Sequence, residues 1–314
     1  MEQLRNRCKH PRAELEANDA AAASAAAQTA TGEHARPVAA GAAVLAERAA
    51  CEDMASRPIA EIRRLAETRD DPIALAVLAQ ITTHGTNGVR PDPQRAIELY
   101  RRCVGRVLSA GTNLGMLLRA RNARGDVAEA RRLFEAGVAH GFPQAQLGLG
   151  QCHRFGYGGP VDYEEAARLF RLAAAAGSNQ AVQEITMAYY KGRGVAQSLP
   201  EAARWCRIGA ERGSAASCHS LALFYQQGEG VPFSPRDALS WAKRGAACAP
   251  SSHEERSTVS SCLYLCGQLQ SDESAGVPQS EAEALRCFRR ALELDPSNAN
   301  AQHGMMILQA RMRA

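Results

Sequence analysis

Cys262 and Cys266 stand four residues apart in a segment of helical periodicity. That spacing turns two thiols to one side and could offer two thiolates to a metal. No His or Cys pair at ligand spacing joins them, and two small core residues are the simpler account. Cys152 and His153 are adjacent, so on a helix they face different ways and make a poor nucleophile–base pair. The stretches GYGG (156–159), GRGV (192–195) and GEGV (228–231) are glycine-rich, but none carries the Lys-Ser/Thr of a phosphate loop. Neither G-x-S-x-G nor H-E-x-x-H occurs, nor G-x-G-x-x-G in a strand context. Trp205 and Trp241 could form a stacking platform, yet they recur in one register, as core residues do. The sequence therefore predicts no catalytic residue, no metal site and no cofactor.

Those glycines and tryptophans share a period. Residues 142–177, 178–213 and 214–249 align as three blocks of 36 residues. Ala166, Ala202 and Ala238 form one register, Leu169, Trp205 and Trp241 the next, and Gly141, Gly177 and Gly213 stand between blocks. A period of this length is the mark of a stacked repeat array. Leu169, Trp205 and Trp241 are expected to be buried at equivalent positions. Each block has two apolar-periodic segments around a glycine loop. In the first, Ala145, Leu149, Cys152 and Phe155 (or His153) make one helical stripe, and Ala166, Phe170, Ala173 and Ala174 the matching one. Asp162 is placed as the N-cap of the second helix, with Glu164 and Glu165 in its first turn. Gly177 stands where a left-handed residue ends it.

The flanks extend the array. Residues 1–36 read as an Ala-rich tail, disordered or loosely helical, because no apolar stripe would pack it down. Residues 37–71 read as N-terminal capping helices. The repeat array spans 72–298, divided as 72–107, 108–141, 142–177, 178–213, 214–249 and 258–298. A polar insertion, PSSHEERS (250–257), precedes the last block, and 299–314 is a C-terminal capping helix. The block 108–141 has lost the long glycine loop, yet Ala130, Phe134 and Gly141 keep register.

The recurring Ala, Gly and Trp positions resemble the Sel1-like repeat family. The resemblance rests most fully on Ala181, Ile185, Tyr189, Gly192, Gly194, Val195, Ala202, Trp205, Ala210 and Gly213. It is carried again by Leu221, Tyr225, Gly228, Gly230, Val231, Ala238 and Trp241. The block 108–141 and the stretch ALELDPSNANA look more like tetratricopeptide repeats. The resemblance implies an all-α, right-handed superhelical solenoid of helix-turn-helix repeats. Some secreted bacterial members carry a disulfide in each repeat, a pattern the Cys spacing here does not fit.

Composition excludes other classes. Among 314 residues the net charge is +4, with acids and bases interleaved, too mild for a nucleic-acid or anionic-membrane surface. No apolar run of membrane-spanning length occurs, so no membrane insertion is expected. The start, MEQLRNRCKHPRAELE, lacks the apolar core of a secretory signal, and Glu2, Glu14 and Glu16 do not suit a transit peptide. Ten Cys at unmatched repeat positions then read as free thiols in an intracellular compartment, cytoplasmic, with a mitochondrial location as the alternative.

What remains for function is a surface. In helical-hairpin solenoids the first helices line the concave side. Projected outward, they present Gln144, Leu147, Gln151 and Arg154, then Gln180, Gln183, Met187 and Tyr190, then Ala216, His219, Leu223 and Gln226. These are the expected partner-binding residues, with Met187 and Leu223 as apolar anchors at one repeat position. An ordinary solvated face would have the same composition. The expected function is a non-enzymatic scaffold or adaptor for a protein or peptide partner. The alternative is an RNA-associated subunit of an organellar ribonucleoprotein complex, which would bring nucleic acid in only indirectly. A hydrolase like those suggested for some bacterial relatives lacks a nucleophile–base pair.

Overall fold

The computed structural model describes residues 38–272 and 277–313. The tail read over 1–36, with Cys8, lies outside the described residues, as do residues 273–276 in the connector between the two helices of the last pair. Fifteen helices and no strand are described. Two lead the array: α1 (Val38–Ala55) and α2 (Ile59–Thr68). Six hairpins follow, pairing α3 (Pro72–His84) with α4 (Pro93–Cys103), α5 (Leu108–Arg121) with α6 (Asp126–Ala139), and α7 (Pro143–Phe155) with α8 (Tyr163–Ala175). Then come α9 (Asn179–Lys191) with α10 (Leu199–Glu211), α11 (Ala215–Gln227) with α12 (Pro235–Ala246), and α13 (His253–Ser271) with α14 (Glu281–Leu294). The last helix, α15 (Ala299–Arg311), covers the end of the stack.

Local chemistry sets these boundaries. Asp71, Asp92, Asp162, Ser178, Ser198, Ser214, Ser234, Ser252, Ser280 and Asn298 each cap a helix, their side chains accepting a backbone N–H three residues on. The Asp162 cap and its two first-turn glutamates are as the sequence predicts. First helices end on left-handed Gly85, Gly156, Gly192 and Gly228. The 250–257 stretch, expected as an insertion, is half helix. The Ser252 cap starts α13 at His253, and Glu254 and Glu255 occupy its first turn. Where the block 108–141 lacks the glycine loop, Asn122 takes the left-handed turn. Asp126, 4% exposed, fixes it by accepting two bonds from Arg121 (2.6 and 2.8 Å) and one from the Ala123 N–H (2.9 Å). The Arg121 guanidinium holds the Asp126 carboxyl down to about 2.

Packing follows from small residues. Phe134, Phe170 and Phe288 are buried in one register, and each lies against at least one glycine of a neighbouring helix. A Cβ at Gly148 would stand 2.7 Å from the Phe134 ring, and one at Gly150 2.6 Å from Phe170. Ring and backbone therefore touch, and Ala here would force one of them to move. The repeats are locked together at the loops as well. A Cβ on Gly194 would lie 1.8 Å from the Tyr163 carbonyl oxygen, and one on Gly230 2.2 Å from that of Leu199. Each loop thus rests directly on the start of the preceding repeat's second helix, in a positive-φ conformation that only glycine fills without strain.

Two expectations need correction. Leu169 is fully buried, but Trp205 and Trp241 are only half-buried. The Trp205 Nε1 is buried without a hydrogen-bond partner among the described residues while the rest of that residue is only partly covered, and Arg244 lies over the Trp241 ring at 5.1 Å. Phe155, placed on the inward stripe, is instead 50% exposed.

Candidate functional site: the row of first helices

Each second helix packs between its own first helix and the next one. First helices also pack on one another directly, α5 on α7, α11 on α13 and α13 on α15, whereas no two second helices do so to the same extent. First helices therefore line one face of the stack, drawn closest together at α5–α7 and α11–α13.

The predicted partner-binding residues divide sharply on this row. Gln144, Gln180 and Gln183 are exposed, as are Met187 (39%) and Tyr190 (37%). Ala216, His219, Leu223 and Gln226 are half-buried. Leu147 and Gln151 are buried, which removes both from the accessible face. Leu147 packs with Phe170, Ala181 and Ile185. Gln151 is fully engaged: its Oε1 accepts from the Arg119 guanidinium, and its Nε2 donates to Glu184 Oε1 at 3.1 Å. Glu184 Oε2 accepts in turn from Arg154. Four side chains, Arg119, Gln151, Glu184 and Arg154, thus form one relay over three first helices.

Sequence reasoning missed Arg119 and Glu184. They lie 32 residues before and 33 after Gln151, each just short of one period, because side chains of stacked helices meet one turn out of register. Arg and Glu near that spacing around a Gln were the available signal. It missed Glu47 as well, whose carboxylate on α1 accepts from the N–H groups of Leu108 and Ser109 and caps α5 from a distance.

Further along, the same repeat positions change chemistry. Gln151 is replaced by Met187 and Leu223, and Arg154 by Tyr190 and Gln226. Tyr190 leans on Phe224, ring centres 6.0 Å apart. Leu223 packs against a cluster containing Leu265 and Val277. Met187 stands with Arg154, Glu184 and Arg193 around a small hollow against α8. Gln180, Gln183 and Ala216 share a polar hollow with Ser214, Glu254 and Glu255 at the starts of α9, α11 and α13. Burial pushes the His219 imidazole below its ordinary value, favouring the neutral ring.

The cysteines are packed, not poised. The nine described are unpaired, and six of them are buried. Desolvation pushes Cys103, Cys206 and Cys218 up to about 11 and Cys266 up to about 12, far from thiolate character at neutral pH. Cys262 is raised by the same cause. Among the described residues no group of three metal-ligating side chains comes together, and no helix is long and apolar enough to cross a membrane.

Comparison with known proteins agrees with this architecture. Residues 72–102, 143–178, 187–214, 215–249 and 260–296 match the Sel1 repeat model. The match passes over α5 and α6, where the glycine loop is missing. No curated protein matches the chain. A Sel1 repeat protein from Oxalobacter formigenes superposes with a TM-score of 0.62 at 22% identity, covering 76% of this chain and 100% of that one. A protective antigen of uropathogenic Escherichia coli strains, displaying an SLR fold, gives 0.54 at 23% identity, covering 81% of this chain and 59% of its own. At these identities the likeness is one of fold. With hairpins, glycine loops and repeat registers all in place, and the family model matched over more than half its length, the chain belongs to the Sel1 repeat family.

Proposed function

We propose that the protein is a non-enzymatic scaffold that holds a protein or peptide partner along its row of first helices. The observation that carries this reading is the bridging of first helices α5, α7 and α9 by the Arg119, Gln151, Glu184 and Arg154 side chains, continued by the direct packing of α11 on α13. Such packing gathers side chains of several repeats onto one inner surface, the geometry helical-repeat proteins use for extended partners. Gln144, Gln180, Gln183, Met187 and Tyr190 are its exposed members, and half-buried Leu223 continues the apolar line from Met187. Gln151 and Arg154 serve it indirectly, by fixing the helices through Glu184. The array over 72–298 works as one stack, closed by α1 and α2 before it and α15 after it.

Site-specific photo-crosslinking tests the assignment. A photoreactive residue at Gln144, Gln180 or Gln183 should capture the same partner protein, and one at Arg168 or Arg204 on second helices should not. Capture of that partner from the second-helix positions alone would move the surface to the other face.

A further inference from the structure

Arg119 is half-buried, donates to the neutral Gln151, and among the described residues has no carboxylate paired with it. Its neighbours are differently placed: Arg121 is held by Asp126 and Arg154 by Glu184. Arg119 and Gln151 form the floor of a groove between the end of α5, the start of α6 and the end of α7. Val127 lines one side. The other is Phe155 and Tyr157, 50% and 41% exposed, with ring centres 5.4 Å apart. The Arg154 guanidinium lies over the Phe155 ring at 4.7 Å and keeps it in place. A cation without a counter-ion beside two exposed rings is an arrangement the fold itself does not need. Placing Phe155 at the surface exposes apolar area, and Arg119 leaves charge uncompensated in a partly dehydrated site.

From the structure we infer that this groove is a recognition pocket for an acidic, apolar peptide segment. One carboxylate pairs with Arg119 and the next large apolar side chain lies on Phe155 and Tyr157. The inference rests on the scaffold reading above and names the partner's chemistry. Charge along the row points the same way. From α5 to α11 the first helices carry Arg119, Arg121, Arg154 and Lys191 against Glu184 alone, whereas acids and bases nearly balance on α6, α8 and α10. A single-stranded nucleic acid fits less well. It needs stacking rings and free cations repeated along the groove. Here the positions equivalent to Phe155 are Lys191 and Gln227, and two of the four cations are already paired.

Fluorescence anisotropy on the full chain tests this with three labelled probes. One is a pool of short peptides rich in Glu, Asp, Leu and Phe. The second has Lys in place of the acids, and the third is oligouridylate. The acidic pool should bind, more weakly as salt rises, and about tenfold more weakly to Arg119→Gln and to Phe155→Ser/Tyr157→Ser. Thermal melting verifies that each variant is folded. The second alters only exposed rings, so it carries the test if Arg119→Gln unfolds. Undiminished binding of the acidic pool to a folded variant overturns the pocket. If that same pool is lost on Met187→Glu/Leu223→Glu, the scaffold reading survives without it. Preference for the Lys pool or for oligouridylate overturns the partner chemistry, and binding of no probe overturns the proposal outright.

Discussion

The row of first helices holds two stretches with one backbone plan and different chemistry. Between α5 and α9 the helices are tied by the relay Arg119, Gln151, Glu184 and Arg154. Between α9 and α13 the matched positions are Met187, Tyr190 and Leu223, with Phe224 beneath Tyr190. Directed hydrogen bonds fix the spacing of the first stretch and engage Gln151 and Glu184 on both sides, leaving Arg119 without a carboxylate among the described residues. Apolar contacts hold the second without a directional requirement, and they leave Met187 and Tyr190 exposed. A repeat fold can therefore assign rigidity to one part of a surface and adaptable contact to another while keeping every helix in register.

The largest expected effect is at the loop contacts beneath this surface. Gly194→Ala places a methyl 1.8 Å from the Tyr163 carbonyl at φ +74° and should cost about 3 kcal/mol in denaturant unfolding. At the equivalent Gly158, the nearest atoms to an added Cβ are 3.2 Å away, so Gly158→Ala should cost only the positive-φ strain, about 1 kcal/mol. Equal costs would show that the later repeats are no more tightly locked than the earlier ones.

Next comes the relay itself. Glu184→Ala leaves Arg154 partly buried without its partner and should cost about 2 kcal/mol, with faster hydrogen exchange in α7 and α9. Ser220→Ala, at the matched position one repeat later, should cost about 0.5 kcal/mol or less. A Glu184→Ala variant as stable as the parent would remove the distinction between the stretches.

Acidification should separate the two stretches more gently. Burial lowers the His219 pKa from its ordinary 6.5, so the unfolded chain takes up the proton before the folded one does. Its effect is absent above pH ~6.5, and stability falls as pH drops below that value toward the lowered folded pKa. Asp126 has the opposite sense, since its lowered pKa contributes stability that is lost only as pH falls from 3.8 toward about 2. Between pH 7 and 5.5, hydrogen-exchange protection factors, taken relative to the intrinsic rate at each pH, should fall around α11 and stay unchanged at the Asp126 turn. A His219→Phe variant that keeps the same pH response would refute the assignment.

Much of this was legible in the sequence because repeats report themselves. Ala166, Ala202 and Ala238 fall in one register only if the same hairpin recurs, and Asp162 followed by two glutamates marks a helix start. What stayed hidden depends on contacts between repeats. Gln151 is the same residue whether it faces solvent or bridges Arg119 and Glu184, and only the stagger of neighbouring helices decides. Trp205 and Trp241 kept their register but not their burial, because periodicity fixes the direction of a side chain and not the size of the space it meets. Glu47 caps α5 across about 60 residues of sequence, beyond the reach of any local capping pattern.

On the proposed function, the partner lies on the first-helix row, anchored where that row turns apolar. The most direct test of this is the affinity of a captured partner for Met187→Glu/Leu223→Glu, measured beside Arg168→Ala on a second helix. The double variant should lose binding by at least about tenfold, keep its helical circular dichroism and melting temperature, and leave Arg168→Ala near the parent. Unchanged affinity in the folded double variant would contradict the account and send the site to the second helices or the loops.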